Sequence, residues 1–143
     1  MRIALLSLIA LFGFSAAAFA APQADHAWLR VVSGQVNGAG YLTLSNPGDK
    51  ADTLVGVTSD CCQAVEIHSM KMSGDTMMMQ KMSQMPISAG GKLTFAPMGN
   101  HIMFIGFAQT PDSDDTVTAT LHFASGHVVP VNFVVTQIGG VAQ

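Results

Sequence analysis

Val117-Thr118-Ala119-Thr120-Leu121-His122-Phe123-Ala124-Ser125-Gly126-His127-Val128-Val129-Pro130-Val131-Asn132-Phe133-Val134-Val135-Thr136 is the stretch that decides the fold. Val117, Ala119, Leu121 and Phe123 alternate with Thr118, Thr120 and His122. A period of two is the signature of a strand with one buried face. Ser125-Gly126 interrupts the pattern, and alternation resumes beyond it, so Val117–Ala124 and His127–Thr136 read as a hairpin. Working outward, the same reading gives strands at Ala27–Val32, Gly40–Ser45, Leu54–Thr58, Val65–Met72, Thr76–Met82, Lys92–Ala96 and His101–Ala108. Asn46-Pro47-Gly48-Asp49, Ser73-Gly74-Asp75 and Ala89-Gly90-Gly91 punctuate them as turns, and Pro111–Asp115 reads as a polar loop. No segment after the leader sustains a helical period. Short strands joined by Gly, Pro, Asn and Asp turns predict an all-β chain, an antiparallel Greek-key β-sandwich or barrel.

The chain has 143 residues, 49% of them hydrophobic and 10% charged. It is too apolar to be disordered, and its length suits one domain. Formal net charge is −3 and basic residues are not clustered, which argues against nucleic acid as a partner. Arg2, the apolar run Ile3–Phe14 and the Ala18-Phe19-Ala20 ending form a secretory signal. Residues 1–20 are therefore expected to be cleaved, leaving 21–143 as a single domain. The cleavage point is followed immediately by Ala21 and not by a Cys, which argues against a lipid anchor there. No later segment is long and apolar enough to insert in a membrane. Export places the chain in an oxidising compartment.

Methionine is the anomaly. Of 10 Met residues, 7 lie between Met70 and Met85. On one predicted strand His68, Met70 and Met72 share a face; on the next, Met77 and Met79 do. A hairpin turning at Ser73-Gly74 pairs His68 with Met79 and Met70 with Met77. On a later strand His101 alternates with Met103, just after Pro97-Met98-Gly99-Asn100. Two soft, uncharged thioethers with two imidazoles suit Cu(I) better than zinc. The competing reading is that these Met residues fill the core.

The spacing of His68, Met79, His101 and Met103 follows the pattern H-x10-M-x21-H-x-M. With Ala27–Arg30, Gly40–Asn46, Leu54–Val57, Val65–His68 and Pro97–Met103, it makes the chain resemble the periplasmic copper chaperone family PCuAC from about Trp28 to Val135. The resemblance implies a cupredoxin-like β-sandwich in the periplasm that binds Cu(I) through His68, Met79, His101 and Met103. It also implies delivery of the ion to the CuA centre of cytochrome c oxidase, on subunit II. Met98, Asn100 and the extra Met residues of Met70–Met85 depart from the family pattern.

The remaining chemistry is sparse. Cys61 and Cys62 are adjacent, and six extended residues put Cys62 roughly 20 Å from His68, so neither is expected to be a copper ligand. With no Cys after Cys62, a blue-copper electron carrier is excluded. His26 could add a weak ligand, while His122 and His127 are isolated. Glu66 reads as a solvated or hydrogen-bonded strand residue. No catalytic motif is present, so the chain is not expected to be an enzyme. Besides copper delivery, two functions stay open: a copper-sequestering tolerance protein with no dedicated acceptor, and a secreted β-sandwich interaction module in which the Met residues only pack.

Overall fold

A computed structural model describes residues 20–139. The predicted signal segment lies outside the described residues except for Ala20. The described residues form ten strands: β1 Gln23–Val32, β2 Asn37–Ser45, β3 Asp52–Thr58, β4 Cys62–Ser73, β5 Thr76–Met82, β6 Met85–Ile87, β7 Lys92–Phe95, β8 His101–Phe107, β9 Thr116–Phe123 and β10 Val128–Ile138. Among the described residues no helix is long and apolar enough to cross a membrane.

The strands join in the order β5-β4-β8-β2-β1-β10-β9-β3-β6. The first half of β2 pairs with β8, and its second half pairs with β7. Among the described residues only β1 and β10 run parallel, a departure from the antiparallel arrangement expected of the sequence; every other pairing is antiparallel. The sheet curls until β3 lies alongside β4, closing a sandwich into a barrel. Alternate residues then point into one core, in which Leu29, Leu44, Leu54, Phe104, Leu121 and Phe133 are completely buried. Each such side chain stabilises the fold by about 1.5–3 kcal/mol relative to exposure.

Three further sequence expectations change. Strand β6 was not foreseen, because three residues around Pro86 are too few to show alternation. The expected strand bounds shift by up to four residues, most of all at the start of β1. The β4–β5 hairpin turns at Gly74-Asp75 and not at Ser73-Gly74: Ser73 pairs with Thr76, Met72 with Met77, Met70 with Met79, and His68 with Lys81. Gly74 takes φ +63, the left-handed conformation that the first central position of a tight two-residue hairpin turn requires. The shift is two residues along the partner strand, so every side chain keeps its expected face.

β2 must approach the core rings closely for β8 to pair beside it. A Cβ on Gly40 would lie 2.8 Å from Phe104 Cε2 and 3.1 Å from Phe133 Cε1. Both rings are fully buried and packed edge to face, with centroids 5.4 Å apart, so neither can yield freely. Gly40→Ala should therefore destabilise the protein by about 1–3 kcal/mol. Urea unfolding reads this as a lowered midpoint; an unchanged midpoint would contradict the packing.

Candidate metal centre

The site lies on the outer face of β4 and β8. Register pairs His68 with His101 and Glu66 with Met103, while Ile67 and Ile102 point from the same strands into the core. The two imidazoles meet edge-on with ring centroids 5.5 Å apart. Met79 is directly opposite Met70, one diagonal step from His68, a spacing that long side chains bridge. Its Sδ lies 2.9 Å from His68 Nδ1. Met79, His101 and Met103 line one cavity of about 330 Å³, together with Met70 and Met98 and walled by Arg30 and Tyr41.

Hydrogen bonds fix which nitrogens are free. Glu66 accepts from His68 Nε2 at 2.8 Å and from Lys81 Nζ at 2.7 Å. The Lys81 bond first, then the His68 bond, hold the Glu66 carboxyl below its usual range, against a small opposing effect of burial. An ionised carboxylate only accepts, so His68 carries a proton on Nε2; in the neutral ring the lone pair is then on Nδ1, the nitrogen facing Met79. His101 Nδ1 donates to the Gly99 carbonyl at 3.0 Å, which leaves the lone pair of the neutral ring on Nε2. Outer partners of this kind orient metal-binding imidazoles in general.

Among the described residues, no three His, Cys, Asp or Glu side chains gather as a metal-binding group. The donors gathered here are thioethers and imidazoles, a set that favours soft cations. The alternative of core filling fails for several Met side chains. Met72, Met77, Met78 and Met79 are all exposed, Met79 by 54%, whereas Met85 is buried and Met82 packs against the core.

Of the sequence candidates, the structure brings His68 against Met79 and His101, and gathers Met79, His101 and Met103 around the cavity. It leaves the others apart. Cys62 pairs with Phe107 at the far end of β4, and its Sγ is 3.0 Å from that of Cys61. Burial first, then the Cys61 thiol beside it, push the Cys62 thiol up to about 12, so it stays protonated. His26 sits exposed at a bulge in β1. His122 bonds Thr58, and His127 bonds Ser125. Two residues acquire parts that sequence reading did not give them. Glu66 orients His68; the signal was its place two residues before His68, on the same face. Met98 reaches the cavity mouth, 77% exposed and with φ +69, a conformation rare for a side chain of its size.

The family model described as "Putative lipoprotein LpqE-like" matches residues 23–135. "Putative lipoprotein Lxx21020" of Leifsonia xyli subsp. xyli is 29% identical over 119 residues, which make up 82% of this chain and 71% of that protein. Among solved structures, the copper-bound PCuAC domain from PmoF2 superposes with a TM-score of 0.70 at 21% identity, over 85% of this chain and 97% of that domain. CuI-DR1885 from Deinococcus radiodurans superposes with a TM-score of 0.62 at 27% identity, over 85% of this chain and 81% of that one. The fold is thus the all-β, cupredoxin-like barrel that the sequence resemblance implied.

The hydrogen bonds make a prediction for the metal-free protein. Long-range nitrogen–proton NMR at neutral pH should show His68 protonated on Nε2 and His101 on Nδ1. Finding the same tautomer at both would contradict the assigned ligating atoms.

Proposed function

The chain belongs to the LpqE-like family, and from that premise we propose that it is an exported Cu(I)-binding metallochaperone. The observation that carries the proposal is the placement of His68 Nδ1 2.9 Å from Met79 Sδ, with the imidazole of His101 beside His68. His68, Met79, His101 and Met103 would hold the ion as two imidazole nitrogens and two thioether sulfurs. The copper-bound state of the PmoF2 domain and the CuI state of DR1885 support the cargo. The lipoprotein names of the family and of the Leifsonia relative support export, in keeping with a signal peptide at residues 1–20, a single domain at 21–143 and a periplasmic location.

The strand positions suit transfer more than storage. His68 stands on β4 and His101 and Met103 on β8, strands paired on both sides. Met79 stands on β5, at the edge of the sheet, and is half exposed. An acceptor can displace that thioether first, while the other three ligands still hold the ion. Thioethers carry no proton to lose, and neutral imidazoles add no charge, so Cu(I) keeps its single positive charge and leaves without charge separation. The acceptor we propose is the CuA site of cytochrome c oxidase subunit II. No step in this cycle makes or breaks a covalent bond in a substrate, so the role is not enzymatic.

Competition with a Cu(I) chelator should find one tightly held ion per chain. Met79→Ala and Met103→Ala should each lower affinity at least as far as the roughly 10- to 100-fold expected for the outer-partner change Glu66→Ala. Met78→Ala, on the opposite face of β5, should change nothing; equal effects at all these positions would remove the assignment. Loaded protein mixed under reducing conditions with the apo soluble domain of oxidase subunit II should lose its copper to a new CuA centre, followed by optical absorption. Copper that stays put, yet yields readily to the chelator, would replace delivery with sequestration.

A further inference from the structure

The β4–β5 hairpin gathers four of its six methionines on one face. Met72 lies directly opposite Met77, and Met70 directly opposite Met79, which places all four thioethers on one face in alternate rungs, with the Lys71–Met78 pair between them facing the other way. The reverse face carries Ser69 opposite Gln80 and Lys71 opposite Met78. Hydrophobic packing does not explain this sorting. Every residue of β5 except Met82 is exposed, and Met72 retains 56% of its accessible surface. These half-exposed side chains realise only part of the stabilisation that full burial of a Met would give. Exposed apolar residues gathered on one face mark a site of interaction.

The geometry points to a second soft-cation site on this face, made of thioethers alone from Met70, Met72 and Met77, with Met79 standing between it and His68. Directly opposed residues have Cβ atoms about 4.5–5.5 Å apart, and Met has three rotatable side-chain torsions, so sulfurs from two rungs can close on one ion. A shell of neutral thioethers takes a soft monovalent cation, Cu(I) or its analogue Ag(I), and discriminates against Zn(II) and hard cations. Met70 also lines the cavity that holds Met79, His101 and Met103, so the two sites are contiguous. The hairpin site extends to the tip at Gly74, from which an ion reaches His68 by exchanging one thioether for the next. This inference rests on copper being the cargo, but it requires a second ion where the proposed function requires one.

The test titrates the whole folded protein with Cu(I), without oxygen and in a thiol-free reductant, against a chelator, and reads the shell by X-ray absorption. The wild type should bind two equivalents, the second more weakly. A Met70→Leu/Met72→Leu/Met77→Leu variant, which keeps the apolar volume of the strands, should bind one, in a mixed nitrogen and sulfur shell. A His68→Ala/His101→Ala variant should retain one ion in a sulfur-only shell. A wild type that stops at one ion in a mixed shell, or a triple Leu variant that still binds two, overturns the hairpin site and leaves the His68–His101 site standing. A wild type that binds a single ion in a sulfur-only shell, lost in the triple variant, supports the hairpin site and removes the other.

Discussion

The pairing of His68 with His101 across β4 and β8 is the constraint on which the rest of the site depends. The side-chain period of a strand is two, so this one register places both imidazoles outside the barrel and Ile67 and Ile102 inside it. A slip of one residue would bury the imidazoles and expose the isoleucines. The apolar core therefore fixes the register, and the register brings the nitrogens together. Met103 follows two residues along β8 and Glu66 two residues back along β4, so the orienting carboxylate comes from the same pairing.

The two faces of the sheet have separate duties. The inner face supplies stability through rings and aliphatic side chains that are closed to solvent. The outer face supplies lone pairs, and it is partly covered by Arg30 and Tyr41, whose cation–π stacking at 5.7 Å walls one side of the cavity. His101 is 7% exposed and hydrogen-bonded to its own turn, whereas Met79 and Met98 reach solvent. One part of the candidate site is thus fixed and another is free to move, which is the arrangement the proposed transfer of an ion would use.

The fold was legible because alternation is a one-dimensional signal: Val117–Phe123 shows its buried face without any knowledge of its partners. Nine of the ten strands could be read in this way, and Met85–Ile87 could not. Which strands pair is not contained in a period of two. Thus the β4–β5 turn was placed one residue early, and only the left-handed Gly74 sets it at Gly74-Asp75. Parity puts His68, Met70, Met72, Met77 and Met79 on one face, which the misplaced turn preserved, but it is the spacing shared with the PCuAC family that singles out His68, Met79, His101 and Met103. Glu66 was harder to read. A carboxylate two residues from a histidine on a strand has many ordinary explanations, and its bond to His68 Nε2 exists only once Lys81 and the ring orientation are in place.

The central claim is that one Cu(I) sits among His68, Met79, His101 and Met103, and methyl NMR on protein labelled at the methionine Cε tests it most directly. The first equivalent of Cu(I) should shift the Met79 and Met103 methyl signals and the His68 and His101 nitrogen signals, leaving Met78 and the buried Met85 in place. A first equivalent that shifts Met72 and Met77 while Met103 and both histidines stay unmoved would contradict the account.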